Sequence, residues 1–271
     1  MSDDIATGAR QVRQQDRQRL ISEAVATDGV VRIDQLAERF GISLLTVHRD
    51  LDQLQSRGIL RKARGIAMAA STSLVESSDL YRFPRQQAEK EAIAHAALAH
   101  IEPGQAVFLD DSTTVLRVAR LIEQRAPVTV ITNVLTIMNE LRDVEDLDLI
   151  ALGGDFYSWC NAFMGRLTIE SISLLRADLL LMSTSAIVDG VGYHQSVLTV
   201  DTKRAMFDAA ARRILLVDHT KFGRRALHRL LPLDAFDLVI VDDAAPADLV
   251  DDLRTRGVEV EVAAVDPAVA N

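Results

Sequence analysis

The 271-residue sequence holds one cysteine, Cys160, one tryptophan and six prolines, and aromatic residues make up 4% of it. A lone thiol forms no internal disulfide and supplies no thiolate cluster for zinc. That fits a reducing compartment and leaves Cys160 as a buried or incidental thiol. No uninterrupted apolar run approaches the roughly 20 residues that a bilayer-crossing helix needs. The opening stretch, MSDDIATGARQVRQQDRQRL, lacks the basic-then-apolar order of a secretory signal, so the chain is expected in the cytoplasm with no membrane partner. G-x-S-x-G, H-E-x-x-H, P-loop and G-x-G-x-x-G signatures are missing too. The six histidines, His48, His95, His100, His194, His219 and His228, have no metal-ligand spacing, since His95 and His100 lie five apart on one predicted helix and share no face. Neither a metal nor a cofactor is expected.

What remains is ordinary globular composition, 25% charged and 48% hydrophobic, in a length that favours two domains. The net charge of −9 is unevenly spread. Residues 1–70 carry eleven Lys and Arg against nine Asp and Glu, a net of +2, which leaves −11 for the rest. A nucleic-acid partner needs local positive charge, so it would belong to the first segment.

That segment reads as three helices and a hairpin. Leu20, Ile21, Ala24 and Val25 mark a first helix from Asp16 to Thr27, which Asp28-Gly29 ends as a turn. After the extended Val30-Val31-Arg32, Asp34 is placed to cap a second helix with an apolar stripe of Leu36, Ala37 and Phe40, and Gly41 stops it. Ser43 caps a third helix whose buried seam is Val47, Leu51 and Leu54. With Val47 at zero, a turn of about 100° per residue puts Arg49 near 200°, Leu45 near 160°, Thr46 near 260° and His48 near 100°. Leu45, Thr46 and Arg49 therefore point outward together, with His48 at their flank. Two helices across a Gly-containing turn, the second presenting Arg and Thr, fit a helix-turn-helix; a solvated helix face gives the same pattern. ILRKARGIAMAA then reads as a wing with Gly65 at its tip, setting Arg61, Lys62 and Arg64 beside a duplex backbone.

RQRLISEAV, DQLAERFGIS, TVHRDLDQL and SRGILRKARG together resemble the winged helix-turn-helix of the DeoR family of bacterial transcriptional regulators. Double-stranded operator DNA is the partner this resemblance implies, with Ser43, Leu45, Thr46, His48, Arg49, Arg61, Lys62 and Arg64 as its contacts. The domain is expected over 14–70, and the polar, serine-rich stretch within 71–85 reads as a connector.

From residue 86 to 271 short apolar runs alternate with helical stretches: AVFLD, VTVIT, LDLIAL, ADLLLMS, RILLV and FDLVIV. Runs buried on both faces predict a mainly parallel sheet in an α/β domain. Ligands of such sheets sit beyond the carboxyl ends of the strands. There the sequence is polar or small: DDSTT from Asp110, Thr132-Asn133, Gly153-Gly154-Asp155, Ser183 to Ala186, Asp218 to Lys221 and Asp242-Asp243. Ser112, Thr113 and Thr114 enter a helix, where hydroxyls and free N–H groups suit an anion, although hydroxyl-rich loops are also ordinary caps. Tyr157, Trp159 and Cys160 sit in a loop that packs on the core or lids the pocket.

EKEAIA, LDDSTT, VITN, ALGGDF, DTKRAM and VDHTKFG resemble the DeoR-type sensor domain. The resemblance implies a fold similar to ribose-5-phosphate isomerase and an effector that is a phosphorylated sugar or related metabolite. It implies Asp110, Ser112, Thr113 and Thr114 as the phosphate loop, with Thr132, Asn133, Gly153 and Gly154 lining the pocket. Asp201, Lys203, Thr220 and Lys221 add polar contacts. The expectation is a repressor of sugar metabolism genes that acts as a homo-oligomer and is not an enzyme. The other reading is a sugar-phosphate isomerase carrying a DNA-binding domain, with Asp189, Asp201 and Lys203 as the base candidates; Asp201 stands where the isomerase has a longer glutamate.

Overall fold

The computed structural model describes residues 14–22, 24–25, 30–69 and 79–266. The chain divides into two compact units, Met1–Arg82 and Phe83–Asn271. The expected Asp28-Gly29 turn and residues 71–78 of the expected connector lie outside the described residues. Within that connector Asp79–Arg82 forms a short helix, α4, where none was expected.

In the first unit residues 14–22 and 24–25 are helical (α1). Strand β1 (Val30–Arg32), α2 (Ile33–Phe40), α3 (Leu44–Ser56), β2 (Leu60–Ala63) and β3 (Ile66–Ala69) follow. The strands pair antiparallel in the order β1-β3-β2. Ile21, Val25, Leu36, Val47, Leu51, Leu54 and Leu60 fill the core between helices and hairpin. Two expectations need correction. Leu20 is exposed, and the inward position on α1 belongs to Gln18, three residues before Ile21. Asp34 does not cap α2: the helix starts at Ile33 with Arg32 at the cap, and Asp34 sits in the first turn, where its carboxylate accepts from Gln35 N and pairs with Arg32. A carboxylate there still meets the positive helix end. Gly41 closes α2 at φ 61, with its N–H returned to the last turn. The hairpin tip carries Arg64 and Gly65 at φ 39 and 82, the left-handed pair of a tight two-residue turn.

The second unit opens with α5 (Gln87–Leu98). Its seven-stranded sheet contains β4 (Ala106–Leu109), β5 (Val128–Thr132), β6 (Leu147–Ala151), β9 (Ala177–Met182), β12 (Ala210–Val217), β14 (Leu238–Asp242) and β15 (Val260–Ala263). Every pairing in it is parallel, in the order β15-β14-β12-β9-β4-β5-β6. Alternate residues face opposite layers. Val107, Leu109, Leu179, Leu181 and Leu216 pack under α5, α6 (Thr113–Leu121) and α7 (Leu135–Leu141). Phe108, Leu180, Met182, Leu215 and Val217 pack under α8 (Arg166–Ser173), α9 (Val197–Asp208) and α10 (Ala247–Thr255).

Leu147–Leu152 does not run buried on both faces as expected. β6 is an edge strand with Asp148, Ile150 and Ala151 exposed, because no strand pairs beyond it. Two small antiparallel pieces, unexpected from the sequence, complete the unit: a hairpin of β7 (Asp155–Tyr157) and β8 (Ala162–Met164), and a sheet of β10 (Ala186–Val188), β11 (Val191–His194) and β13 (His228–Pro232). Tyr157 thus lies in a strand, Cys160 is buried in the core and Trp159 packs against it, which favours packing over a lid.

Candidate functional site

Ser43 starts α3 by accepting Thr46 N at 3.2 Å, and its hydroxyl also meets that of Thr46 at 2.9 Å. Val47, Leu51 and Leu54 are buried, whereas Leu45 is 71% exposed and Ser43 and Arg49 are exposed beside half-buried Thr46 and His48. An exposed leucine beside an arginine is compatible with a face that reads base edges. Arg61 and Arg64 are exposed on the hairpin; Lys62 is half-buried and pairs with Asp52 on α3 at 2.6 Å.

The sequence reading missed Asp50. This buried carboxylate accepts from Arg17 Nε at 2.5 Å, Arg17 Nη2 at 3.1 Å and Gln18 Nε2 at 3.1 Å, so it ties α3 to α1. That hydrogen bond in turn holds the Arg17 guanidinium above its ordinary value. At about 300° on the same wheel Asp50 borders the seam, a signal the sequence did offer.

In the second unit the strand order reverses beside β4: β5 and β6 lie on one side, and β9, β12, β14 and β15 on the other. Ligands of such sheets bind at this switch point, beyond the carboxyl strand ends. Most buried polar side chains of the unit gather at those ends, among them Asp110, Asp111, Thr132, Asn133, Ser183, Lys203 and Asp218. Buried polar groups are costly unless paired, so their concentration at one edge marks the site.

Lys203 of α9, 3% exposed, is its centre. Its ammonium pairs with Asp110, and with Asp111 at 2.8 Å. Burial pulls the Lys203 pKa down, but the two carboxylates outweigh it and hold the group above its usual value. Asp110 also accepts Ser112 N at 2.9 Å and Ser183 N at 2.8 Å, so its lone pairs are spent within the protein. Ser112 caps α6 by accepting Val115 N at 3.1 Å, with Thr113 and Thr114 buried in the first turn. The end of β4 thus sets the Lys203 ammonium between two carboxylates.

At the end of β12 one carboxylate meets several cations. Buried Asp218 faces Lys221 at 3.8 Å and accepts from the Thr220 hydroxyl. Burial pushes its pKa up, but the charges of Lys221, Lys90 and Arg224 together with the Thr220 hydrogen bond hold it below the ordinary carboxylate range. Lys90 was missed, although a lysine three residues before Ile93 in the apolar stripe of α5 is a readable signal.

Other expected residues are turned away or already bonded. Asp201 is exposed on α9, since two helical residues turn it about 200° from Lys203. Thr132 spends its hydroxyl on Leu109 O at 2.8 Å and Val134 N at 3.2 Å. Gly153 accepts Thr168 Oγ1 at 2.7 Å, and a Cβ on Gly154 would fall 2.1 Å from that oxygen, so this pair serves packing against α8. Among the described residues no cluster of His, Cys, Asp and Glu could hold a metal ion, and no helix is long and apolar enough to cross a membrane.

Residues 17–73 match the model of the DeoR-like helix-turn-helix domain and residues 85–243 that of the DeoR C-terminal sensor domain. A relative named as an aga operon transcriptional repressor in Escherichia coli O157:H7 is 32% identical over 96% of this chain and 98% of its own. The glycerol-3-phosphate regulon repressor of Escherichia coli K12 is 31% identical over 93% of this chain and 100% of its own. Among solved structures, ribose 5-phosphate isomerase A of Methanocaldococcus jannaschii aligns at TM-score 0.37 and 13% identity over 50% of this chain and 54% of that one, a distant likeness from which nothing about chemistry follows. With both of its domains matched and full-length relatives in hand, the chain belongs to the DeoR family of transcriptional regulators.

Proposed function

We propose that this chain is a cytoplasmic repressor of sugar-metabolism genes that binds operator DNA through its first unit and answers to a phosphorylated sugar or related metabolite in its second. The reader spans 14–70, the connector 71–85 and the sensor 86–271. The outward face of α3 carries the first half of the reading: Leu45 and Arg49 stand in solvent while Val47 and Leu51 are buried. In the major groove Arg49 pairs with guanine O6 and N7, Leu45 meets a thymine methyl, and Ser43, Thr46 and His48 contact bases or phosphates. Arg61, Lys62 and Arg64 lie against the duplex backbone. One such domain covers a single half-site, so two or more copies act together.

At the sensor edge the cations of Lys90 and Lys221 and the first turn of α6, with Thr113 and Thr114, receive the phosphate. Asp110, Asp111 and Lys203, bonded to one another, brace the end of β4 beside it. Isomerase chemistry is not favoured: Asp189 and Asp201 are exposed, and the Lys203 ammonium is committed to two carboxylates. Effector coupling in such regulators is typically about 1 to 3 kcal/mol, a shift of roughly 5- to 150-fold in DNA affinity.

The test selects duplexes with the full-length chain from a randomised pool and measures their binding by fluorescence anisotropy. Arg49→Ala is expected to lower affinity by about 5- to 150-fold, the worth of one bidentate base contact. Unchanged affinity ends the assignment of α3.

A further inference from the structure

Two buried amide oxygens near the sensor edge receive no hydrogen bond from the protein: Asn133 Oδ1 and Gln195 Oε1, in residues 1% and 8% exposed. The orientation of Asn133 is fixed, because its Nδ2 donates to Phe163 O at 2.7 Å and so leaves its carbonyl oxygen on the other side. Strand β8 connects the two residues. Asn133 grips it through Phe163, whose N–H also donates to Asn133 O at 2.8 Å. The first turn of α9 meets the same strand where Thr199 Oγ1 reaches Met164 Sδ at 3.5 Å, and Gln195 immediately precedes Ser196, the cap of that helix. Tyr193, two residues earlier, accepts from Thr184 Oγ1 at 2.8 Å in the segment leaving β9, which brings Gln195 beside the switch point.

Native proteins leave few buried acceptors without donors, because each destabilises the fold. Such groups persist where a ligand completes them. We propose that Asn133 and Gln195 form a subsite that reads hydroxyl groups on the carbon chain of the effector, with Gln195 as its specificity-determining residue. The inference rests on the reading of this edge as an effector site and adds a requirement to it. An amide carbonyl accepts a proton that a hydroxyl can donate and a phosphate dianion cannot. The subsite therefore takes the carbon chain and leaves the phosphate to the cations around Asp218. The ligand class is a polyol or sugar phosphate with free hydroxyls beyond the ester, as opposed to a phosphate carried on an apolar group.

Gln195→Met removes the acceptor at similar volume and tests the idea twice. In scanning calorimetry of the ligand-free full-length chain the variant is expected to melt at or above the wild-type temperature, since an apolar group replaces an acceptor that the protein leaves unmet. A lower melting temperature overturns the proposal. Titration calorimetry then compares inorganic phosphate, ethyl phosphate, glycerol 3-phosphate, ribose 5-phosphate and glucose 6-phosphate. The wild type is expected to bind at least one of the three hydroxylated esters tenfold or more tightly than ethyl phosphate, and Gln195→Met to abolish that preference while affinity for inorganic phosphate stays the same. Equal binding of all esters by the wild type, or a preference kept by the variant, also overturns it. Absence of binding by any of the five removes the effector reading of the edge itself, and the subsite with it.

Discussion

Lys203→Met takes away the ammonium that bridges Asp110 and Asp111 and leaves two buried carboxylates facing each other. Removing one partner of a buried ion pair costs about 3 to 5 kcal/mol, because the remaining charge stays desolvated. Asp110 keeps two N–H donors, Ser112 N at 2.9 Å and Ser183 N at 2.8 Å. These charge-assisted bonds move the expected loss to the lower end, about 3 kcal/mol. For a unit of this size that corresponds to a fall in melting temperature of roughly 6 to 12 °C. Trp159, the one tryptophan of the chain, lies in the sensor unit and reports its urea unfolding without signal from the reader. The pH dependence adds a second criterion. Burial depresses the Lys203 pKa, and the two aspartates more than restore it. A group raised in this way contributes stability that is complete below its unfolded value, about 10.4, and is lost only as pH rises through the higher folded value. Between pH 5 and 8 the wild type therefore gains nothing from this group by acidification. The gap between the two proteins is therefore expected to close only at high pH, above about 10.4, as the wild-type ammonium gives up its proton. A loss under about 1 kcal/mol at pH 7, or a contribution already lost below pH 8, refutes the ion pairing described for this edge.

Two further substitutions address local geometry and charge. Gly154→Ala puts a Cβ 2.1 Å from Thr168 Oγ1 and 2.7 Å from Met164 O at φ 146, whereas Gly41→Ala at φ 61 meets nothing within 4 Å. Urea unfolding should therefore show a loss of about 3 kcal/mol or more for Gly154→Ala and only about 1 kcal/mol for Gly41→Ala, and equal losses would show that the contact with α8 does not matter. Asp218 titrates below its ordinary value against Lys221, Lys90 and Arg224, so its contribution is present above its unfolded pKa of about 3.9 and is lost as pH falls through the folded value. Acid melts of Asp218→Asn should lack this component below about pH 4, and an acid limb that matches the wild type would contradict the pairing.

The elements legible in the sequence are those whose signal is local. Val47, Leu51 and Leu54 repeat at helical spacing, and Ser43 stands where a hydroxyl can cap, so the start of α3 could be placed to the residue. Five of the six apolar runs became inner strands, because a strand covered on both faces needs no polar alternation. The sixth, β6, failed for a reason outside the sequence: whether a strand has a neighbour on its far side depends on strand order. Strand β15 was missed at the opposite edge although Val258, Val260 and Val262 alternate with Glu259 and Glu261, a period-two pattern that the reading had not sought. The short strands β7, β8, β10, β11 and β13 carry three to five residues each, too few for any period to show. At the candidate site, the residues placed after apolar runs do follow strands, because strand ends are predictable. Lys90 and Lys203 lie inside helices, and what singles them out is burial: Lys203 was named through resemblance, while Lys90 needed its neighbours Ile93 and Ala94 to be recognised as a core stripe. Asp201 was carried over with the same helix and fell on its wrong face.

An overall charge of −9 is at first sight a poor start for a protein that meets DNA. The packing of α3 removes much of the difficulty. Its two carboxylates are both neutralised: Asp50 is turned inward onto Arg17 and Gln18, and Asp52 pairs with Lys62 at 2.6 Å. Arg49, Arg61 and Arg64 stay exposed on α3 and the hairpin. The price of this arrangement is that Lys62 arrives at a duplex already paired, so the arginines and not the lysine supply most of the local positive field. Charges in the second unit act over a Debye length of only about 8 Å at physiological salt. A phosphate within that distance of Arg49, Arg61 or Arg64 would respond to those charges first, and the acidity of the whole chain governs solubility and long-range approach.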